Sequence, residues 1–410
     1  MNKRIFITAG YNTISLGTGR NEFNPKKERP GLEHYIKEAG NATLEQIGGA
    51  QNVDETVISN FNAAQYNNQG NLPGYAPYIN EKLRYKPSNR VEGACGSGGL
   101  GLATSIKFLL SGESDVILAL GVEVQNTVKA VYGADYLATA GWWKDRKNGH
   151  AHFFPGQFSD RAGKYYEKYG KEYARNGMIQ WYVNAINNAR LDKTAQEYHN
   201  NDNDLFKTAT VEPNGKTFVD NLTVYDCSKV SDASSAIALM TLEGLKRCNI
   251  DLKDTVEIIS FAQAEDDITT KPEDPTRLLT TENAVSKALL KAGITKEQLG
   301  TVEAHDCFSI AGIMAVEAIG FAEHGKGAEF VSNGNTMRDG IIPFNTTGGL
   351  IGWGHPVGAT GIHQAVTIWQ QLTEKAGDAQ IKLSDGKPYG MSINMGGDDK
   401  TVTCIIYKKP

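Results

Sequence analysis

The feature that most constrains this chain is an internal echo. Residues 93–110 read GACGSGGLGLATSIKFLL and residues 352–369 read GWGHPVGATGIHQAVTIW, each a glycine-rich turn that opens an apolar helix. Each is also paired with a small-residue turn running into a β-branched strand, SDASSAIALMTL at 231–242 and MGGDDKTVTCIIY at 395–407. Repetition of that kind predicts two similar α/β halves, divided near residue 252 into 1–252 and 253–410, with both helix starts near a shared seam. A chain of 410 residues is also too long for one ordinary core, since cores stop growing at about 250–300 residues.

Short β-branched runs (RIFITAG, DVILALG, TVEIISFAQA, TVEAHD, TVTCIIY) alternate with segments of helical periodicity, the pattern of an α/β fold. Thr295 and Gln298 have capping-box spacing and predict a helix start in GITKEQL. A second helix is expected through FSIAGIMAVEAIGF, with Ile310, Ile313, Met314 and Ile319 on one face. Residues 124–220 differ in composition, rich in Tyr, Trp, Lys, Arg and Asn. They read as an insertion on the first half, suited to a flap over a long ligand.

With a net charge of −5 the chain carries no basic footprint, which argues against nucleic acid or an anionic membrane as main partner. The start, MNKRIFITAG, lacks a signal-peptide pattern and no apolar run approaches a membrane span, so a cytoplasmic location is expected. Five widely spaced cysteines without C-x-x-C pairs suggest free thiols, not a disulfide framework or a zinc site.

Gly96, Gly98 and Gly101 form a literal G-x-G-x-x-G, and Glu123 lies about where a ribose-binding acid would fall, so a dinucleotide turn is one reading. The other makes Cys95, at a strand-to-helix junction, a nucleophile. A helix N-terminus would favour its thiolate, and the flanking glycines would clear space for a ligand. His305 and Cys307 close a strand in HDC, and His355 sits in the second glycine-rich turn. Together with Cys95 they supply a nucleophile, a base and an acid. His34, His199, His324 and His363 receive no role. His150, His152 and the run Lys144, Arg146, Lys147 are candidate ligand contacts, with a solvated charge run the default for the last.

These motifs resemble the thiolase superfamily, and within it the sterol-carrier-protein type. The resemblance rests on HDCF (305–308) and NTTGGLIGWGHPVGATG (345–361), supported by ACGSGG and YDCSKVSDASSAIAL, and it spans nearly the whole chain. It implies a thiolase fold: duplicated α/β halves in five α-β-α-β-α layers with an inserted loop domain, usually as a homodimer. It also implies an acyl-CoA acyltransferase that uses coenzyme A as substrate and no permanently bound cofactor or metal. Cys95 would accept the acyl group, His355 activate it, His305 serve an oxyanion hole and Cys307 act as second acid/base. The backbone of Cys95 and Gly396 would hold the other oxyanion, and Gly354, Pro356, Asn394 and Phe308 would contact substrate. Common thiolases carry a C-x-G cysteine where this chain has Asn394, which cannot shuttle a proton. Rival expectations are a condensing subunit that needs an accessory protein, and a non-catalytic acyl-CoA or lipid binder.

Overall fold

In the computed structural model, which describes residues 3–147 and 150–409, the β-branched runs form nine strands. They are β1 (Ile5–Asn12), β2 (Glu55–Ser59), β3 (Ser88–Val91), β4 (Val116–Glu123), β5 (Ala233–Thr241), β6 (Val256–Glu265), β7 (Leu299–Glu303), β8 (Tyr389–Gly396) and β9 (Thr401–Lys408). Their order is β3-β2-β4-β5-β1-β6-β9-β8-β7. In the first half β2 and β4 run parallel, while β4–β5 and β5–β1 are antiparallel. The second half repeats this, with β7 and β8 parallel and β8–β9 and β9–β6 antiparallel. A short antiparallel join, Ile5–Ile7 against Val256–Ile258, links the two.

Strand alternation dictates the layers. Ile5 and Ile7 of β1, Ile117 of β4, Ile237 of β5 and Ile405 of β9 face one central core, which also holds Leu102, Ile106, Ile362 and Trp369. The intervening residues Phe6, Leu118 and Met240 face an outer core with Tyr35 and Ile36, while Cys404 and Ile406 face another. Strands buried on both faces carry nearly continuous apolar sequence, as these do. The helices that fill the layers are α1 (Leu32–Gln46), α2 (Ser97–Ser111), α3 (Ala130–Leu137), α4 (Phe153–Tyr169), α5 (Lys171–Ala189), α6 (Leu279–Ala292), α7 (Ser309–Ile319) and α8 (Thr360–Leu372). Helices α2 and α8 occupy the central layer and touch strands of both halves; α1 covers one outer face, and α6 and α7 the other. The arrangement is α-β-α-β-α.

Two local expectations change. The Thr295–Gln298 capping box forms, but it closes a single turn that runs directly into β7 at Leu299. Helix α7 has no polar face: its residues are buried all round, packed against α4, α5 and α6. The insertion, between β4 and β5, packs on both halves: Tyr66 Oη donates to Gly133 O and Arg20 Nη1 to Ala195 O in the first. Met178, Trp181 and Ile186 of α5 share a core with Ile310, Ile313 and Met314 of α7, so the segment packs on the second half as well. Among the described residues no helix is long and apolar enough to cross a membrane.

Candidate active site

The two echoed helix starts meet at the seam. A methyl group added at Gly98 would lie 2.5 Å from the Gly361 backbone nitrogen, and one at Gly361 would strike Gly99 N. The glycines therefore let the backbones of α2 and α8 touch. The dinucleotide reading also loses its acid. Glu123 is buried and its carboxylate accepts from Asn60 Nδ2, Phe61 N, Asn62 N and Gly358 N, tying the end of β4 to the second glycine-rich turn.

Cys95 lies on a single turn just before α2, preceded by Ala94 at φ +53°, a left-handed conformation that costs a residue with a Cβ and re-aims the chain. Its Sγ and a ring nitrogen of each of His305 and His355 lie within 4.8 Å of one another. The two imidazoles meet edge to face with centroids 5.1 Å apart. His305, Cys307, His355 and Phe308 line the same cavity of about 540 Å³ as Cys95. The insertion supplies much of its wall through Ala130, Leu137, Phe153, Phe154, Phe158 and Phe218, and Phe308 stacks on Phe158 at 4.5 Å.

Hydrogen bonds fix which ring nitrogen of each histidine carries the proton. Asn394 Oδ1 accepts from Gly99 N (2.8 Å), so its Nδ2 is the group that donates to Cys95 O (3.2 Å) and to His305 Nδ1 (3.1 Å). The His305 proton then resides on Nε2, which has no protein partner. Thr360 Oγ1 donates to Pro356 O (3.2 Å) and so accepts from His355 Nδ1–H at 2.7 Å. That leaves the unpartnered His355 Nε2 with its lone pair. One imidazole presents a donor and the other an acceptor. The His355 backbone is pinned as well: its N–H reaches Ser231 Oγ and Lys229 O, and Gln125 Nε2 donates to its carbonyl. By residue type, Cys95, His305 and His355 would suit a soft divalent metal, but a protonated His305 Nε2 offers no lone pair.

Burial dominates the charges. It pushes the Cys95 thiol up to about 12, against the opposing Gly397 N–H, so the thiolate expected at the helix start gives way to a neutral thiol at rest. Burial also holds His355 down to about 3 and His305 well below the usual histidine range, the latter helped by His355. Cys307 is raised well above an ordinary thiol by burial and by Cys95. Trp181 Nε1 and Leu350 N brace the neighbouring Asp306 carboxylate at 2.9 and 2.7 Å.

Of the four residues expected to touch substrate, Phe308 lines the cavity and three lie behind it. Gly354 (φ +113°) packs on Ser231 and Ser15, Pro356 supplies carbonyl bonds to α8, and the Asn394 amide is consumed as described. The backbone at Gly396, expected to hold an oxyanion, lies beside the Cys95 turn. Gly396 is packed against Gly93 O and Gly96 N, and the Gly397 N–H is the one that reaches the sulfur. His152 lines the cavity beside Phe218; His150 pairs with Asp160 at 3.5 Å; Arg146 pairs with Asp135, and Lys144 lies over Trp142 and Trp143. The Lys147 side chain is outside the described residues. Sequence reasoning missed Thr360, Ser231 and Gly397. Only Thr360 left a sequence trace, a hydroxyl one helical turn and a step beyond His355.

A duplicated five-layer α/β fold with a cysteine and two complementary imidazoles at its seam defines an acyl-transferring enzyme of the thiolase type. Residues 262–409 match the family described as "Thiolase C-terminal domain-like". Acetyl-CoA acetyltransferase of Methanothermobacter thermautotrophicus is 34% identical over 382 residues, covering 91% of this chain and 94% of that protein. Sterol carrier protein 2 of Gallus gallus is 25% identical, covering 93% and 68%. Among solved structures, acetyl-CoA acetyltransferase from Syntrophomonas wolfei superposes with a TM-score of 0.69 at 17% identity, covering 100% of each chain. An Ltp2–ChsH2(DUF35) aldolase gives 0.76 at 18% identity, covering 99% and 98%. The chain belongs to the thiolase superfamily and is a thiolase-type acyltransferase.

Proposed function

We propose that the protein transfers an acyl group between coenzyme A and Cys95, cleaving 3-oxoacyl-CoA thiolytically or, in reverse, forming it by Claisen condensation. The observation that carries this is the convergence of Cys95 Sγ with an acceptor and a donor imidazole. His355 Nε2 takes the Cys95 proton as sulfur attacks the 3-oxo carbon, and the oxyanion forms against the Cys95 and Gly397 N–H groups. The C2–C3 bond breaks and its electron pair becomes the enolate of acetyl-CoA, whose oxygen accepts from His305 Nε2–H. The Cys307 thiol protonates the enolate carbon. Its raised pKa keeps it protonated at rest and makes the resulting thiolate a strong base for the proton of incoming coenzyme A. The coenzyme A thiolate then takes the acyl group, and Cys95 recovers its proton from His355.

The test is intact mass after exposure to acetoacetyl-CoA and to a longer 3-oxoacyl-CoA without free coenzyme A. An acyl-sized increment in the parent and none in Cys95→Ala is expected. Binding without any increment would overturn the acyl-cysteine assignment and favour a non-catalytic binder. A homodimer is part of the same proposal. Activity that appears only on adding a second protein would replace it with the accessory-subunit reading, for which the two-component name of the aldolase neighbour is the support.

A further inference from the structure

We infer that Asn394 is a positioning residue, which holds His305 as the Nε2–H tautomer and so keeps a hydrogen-bond donor aimed at the enolate oxygen. This rests on the acyl-transfer reading above. Asn394 sits near the end of β8, 2% exposed, where the strand passes between the Cys95 turn and His305. Its amide has no rotational choice. The Gly99 N–H requires an oxygen on one side, and the Cys95 carbonyl requires an N–H on the other. The same N–H₂ group faces His305 Nδ1, which must therefore be unprotonated. Three groups from two chain segments, the Cys95–Gly99 turn and the HDC stretch after β7, thus converge on one carboxamide, and the single consequence that reaches the cavity is the proton on His305 Nε2.

A side chain of this size at this place has two chemical alternatives. A cysteine, as in the common C-x-G pattern, could exchange a proton but could not donate to two acceptors while accepting from a third group. A carboxylate could accept from Gly99 but would force the proton onto His305 Nδ1. The other titratable groups around His305 do not compete for that proton. His355 presents its lone pair to the cavity and is held neutral, Cys95 and Cys307 are neutral thiols, and the Asp306 and Glu123 carboxylates are turned onto Trp181 and Leu350 and onto the Asn60–Asn62 turn and Gly358.

The experiment uses Asn394→Asp and Asn394→Ala in the full chain. In Asn394→Asp the introduced carboxyl group and His305 form a pair that keeps an Nε2–H only while it retains one extra proton, whichever of the two groups carries it. The Cys95 acylation rate of this variant is expected to fall about tenfold per pH unit above the pKa of that pair. The loss should level off at about 10²–10³-fold, that of a missing oxyanion donor. Wild type and Asn394→Ala should lack this limb. An Asn394→Asp profile parallel to that of wild type would overturn the inference.

To keep the inference testable if the Asn394→Asp variant does not fold, the tautomer is also read directly. In wild-type protein labelled with ¹⁵N-histidine, His305 should show a protonated Nε2 and a bare Nδ1; the opposite tautomer would overturn the inference without any variant. This readout is independent of turnover. A protein that forms no acyl adduct but shows the expected tautomer would sink the acyl-transfer reading and leave the clamp standing.

Discussion

Removing the Thr360 hydroxyl while keeping its shape tests how His355 is prepared as a base. In Thr360→Val the β-branched volume at the start of α8 is retained, and the 2.7 Å partner of His355 Nδ1 disappears. Two effects follow. A buried ring N–H is left without an acceptor, worth about 1–3 kcal/mol. The imidazole can escape that cost by moving its proton to Nε2, the very atom that must accept the Cys95 proton. Either route raises the barrier to attack by the same order, so the acylation rate should fall about 5- to 150-fold, with each 1.4 kcal/mol a factor of ten. Coenzyme A affinity should stay unchanged, because Thr360 lies behind His355 and does not line the cavity. The assay is quenched-flow intact mass, following the acyl increment on Cys95 under single-turnover conditions, with calorimetric titration of coenzyme A alongside. Thr360→Ser, which restores the hydroxyl, should recover most of the rate. A valine variant within twofold of wild type would refute the tautomer argument, and a serine variant as slow as valine would move the cause from hydrogen bonding to packing.

Gly98→Ala should lower the thermal midpoint, since a methyl 2.5 Å from Gly361 N has only backbone to push against. Overpacking of this kind costs about 1–3 kcal/mol, and an unchanged melting curve would disprove the close contact of α2 and α8. His363, stacked on Trp353 and held by burial down to about 3, is neutral in the fold while its unfolded counterpart takes up a proton below about 6.5. Its contribution to stability is therefore lost as pH falls. The stability of wild type relative to His363→Gln should shrink by about 1.4 kcal/mol per pH unit between pH 6 and 4 in urea titrations, and parallel curves would contradict this.

Much of the architecture was legible because strand alternation and duplication are periodic signals, and periodicity survives in one dimension. The runs around Ile5–Ile7 and Ile405–Tyr407 announce two-sided burial, and the echo of GACGSGG and GWGHPVG announces the seam. The failures share a cause. The capping box at Thr295 is a correct local signal, but nothing local says the chain turns into β7 after one turn. Helix α5 reads as surface because the apolar face it meets, on α7, lies more than a hundred residues away. The helix start at Cys95 is visible in sequence, whereas the burial that raises its thiol is a property of the assembled cavity. Asn394 looked like the loss of a proton carrier. Only its three partners show what a carboxamide does there.

The backbone contact of α2 with α8 also limits how the molecule can move. Together with the β1–β6 join it welds the two halves along their seam, so a clamshell opening would have to break main-chain hydrogen bonds and part glycines that have no side chains to yield. Admission of a long thioester therefore falls to the cover. Helix α3, which has no buried residue, is the most exposed helix of the cavity wall and lies beside the Phe153–Phe154 corner. The expected entry route is a small exposed panel on a rigid frame. Amide exchange should show a seam that opens only with global unfolding and a panel that opens far more often.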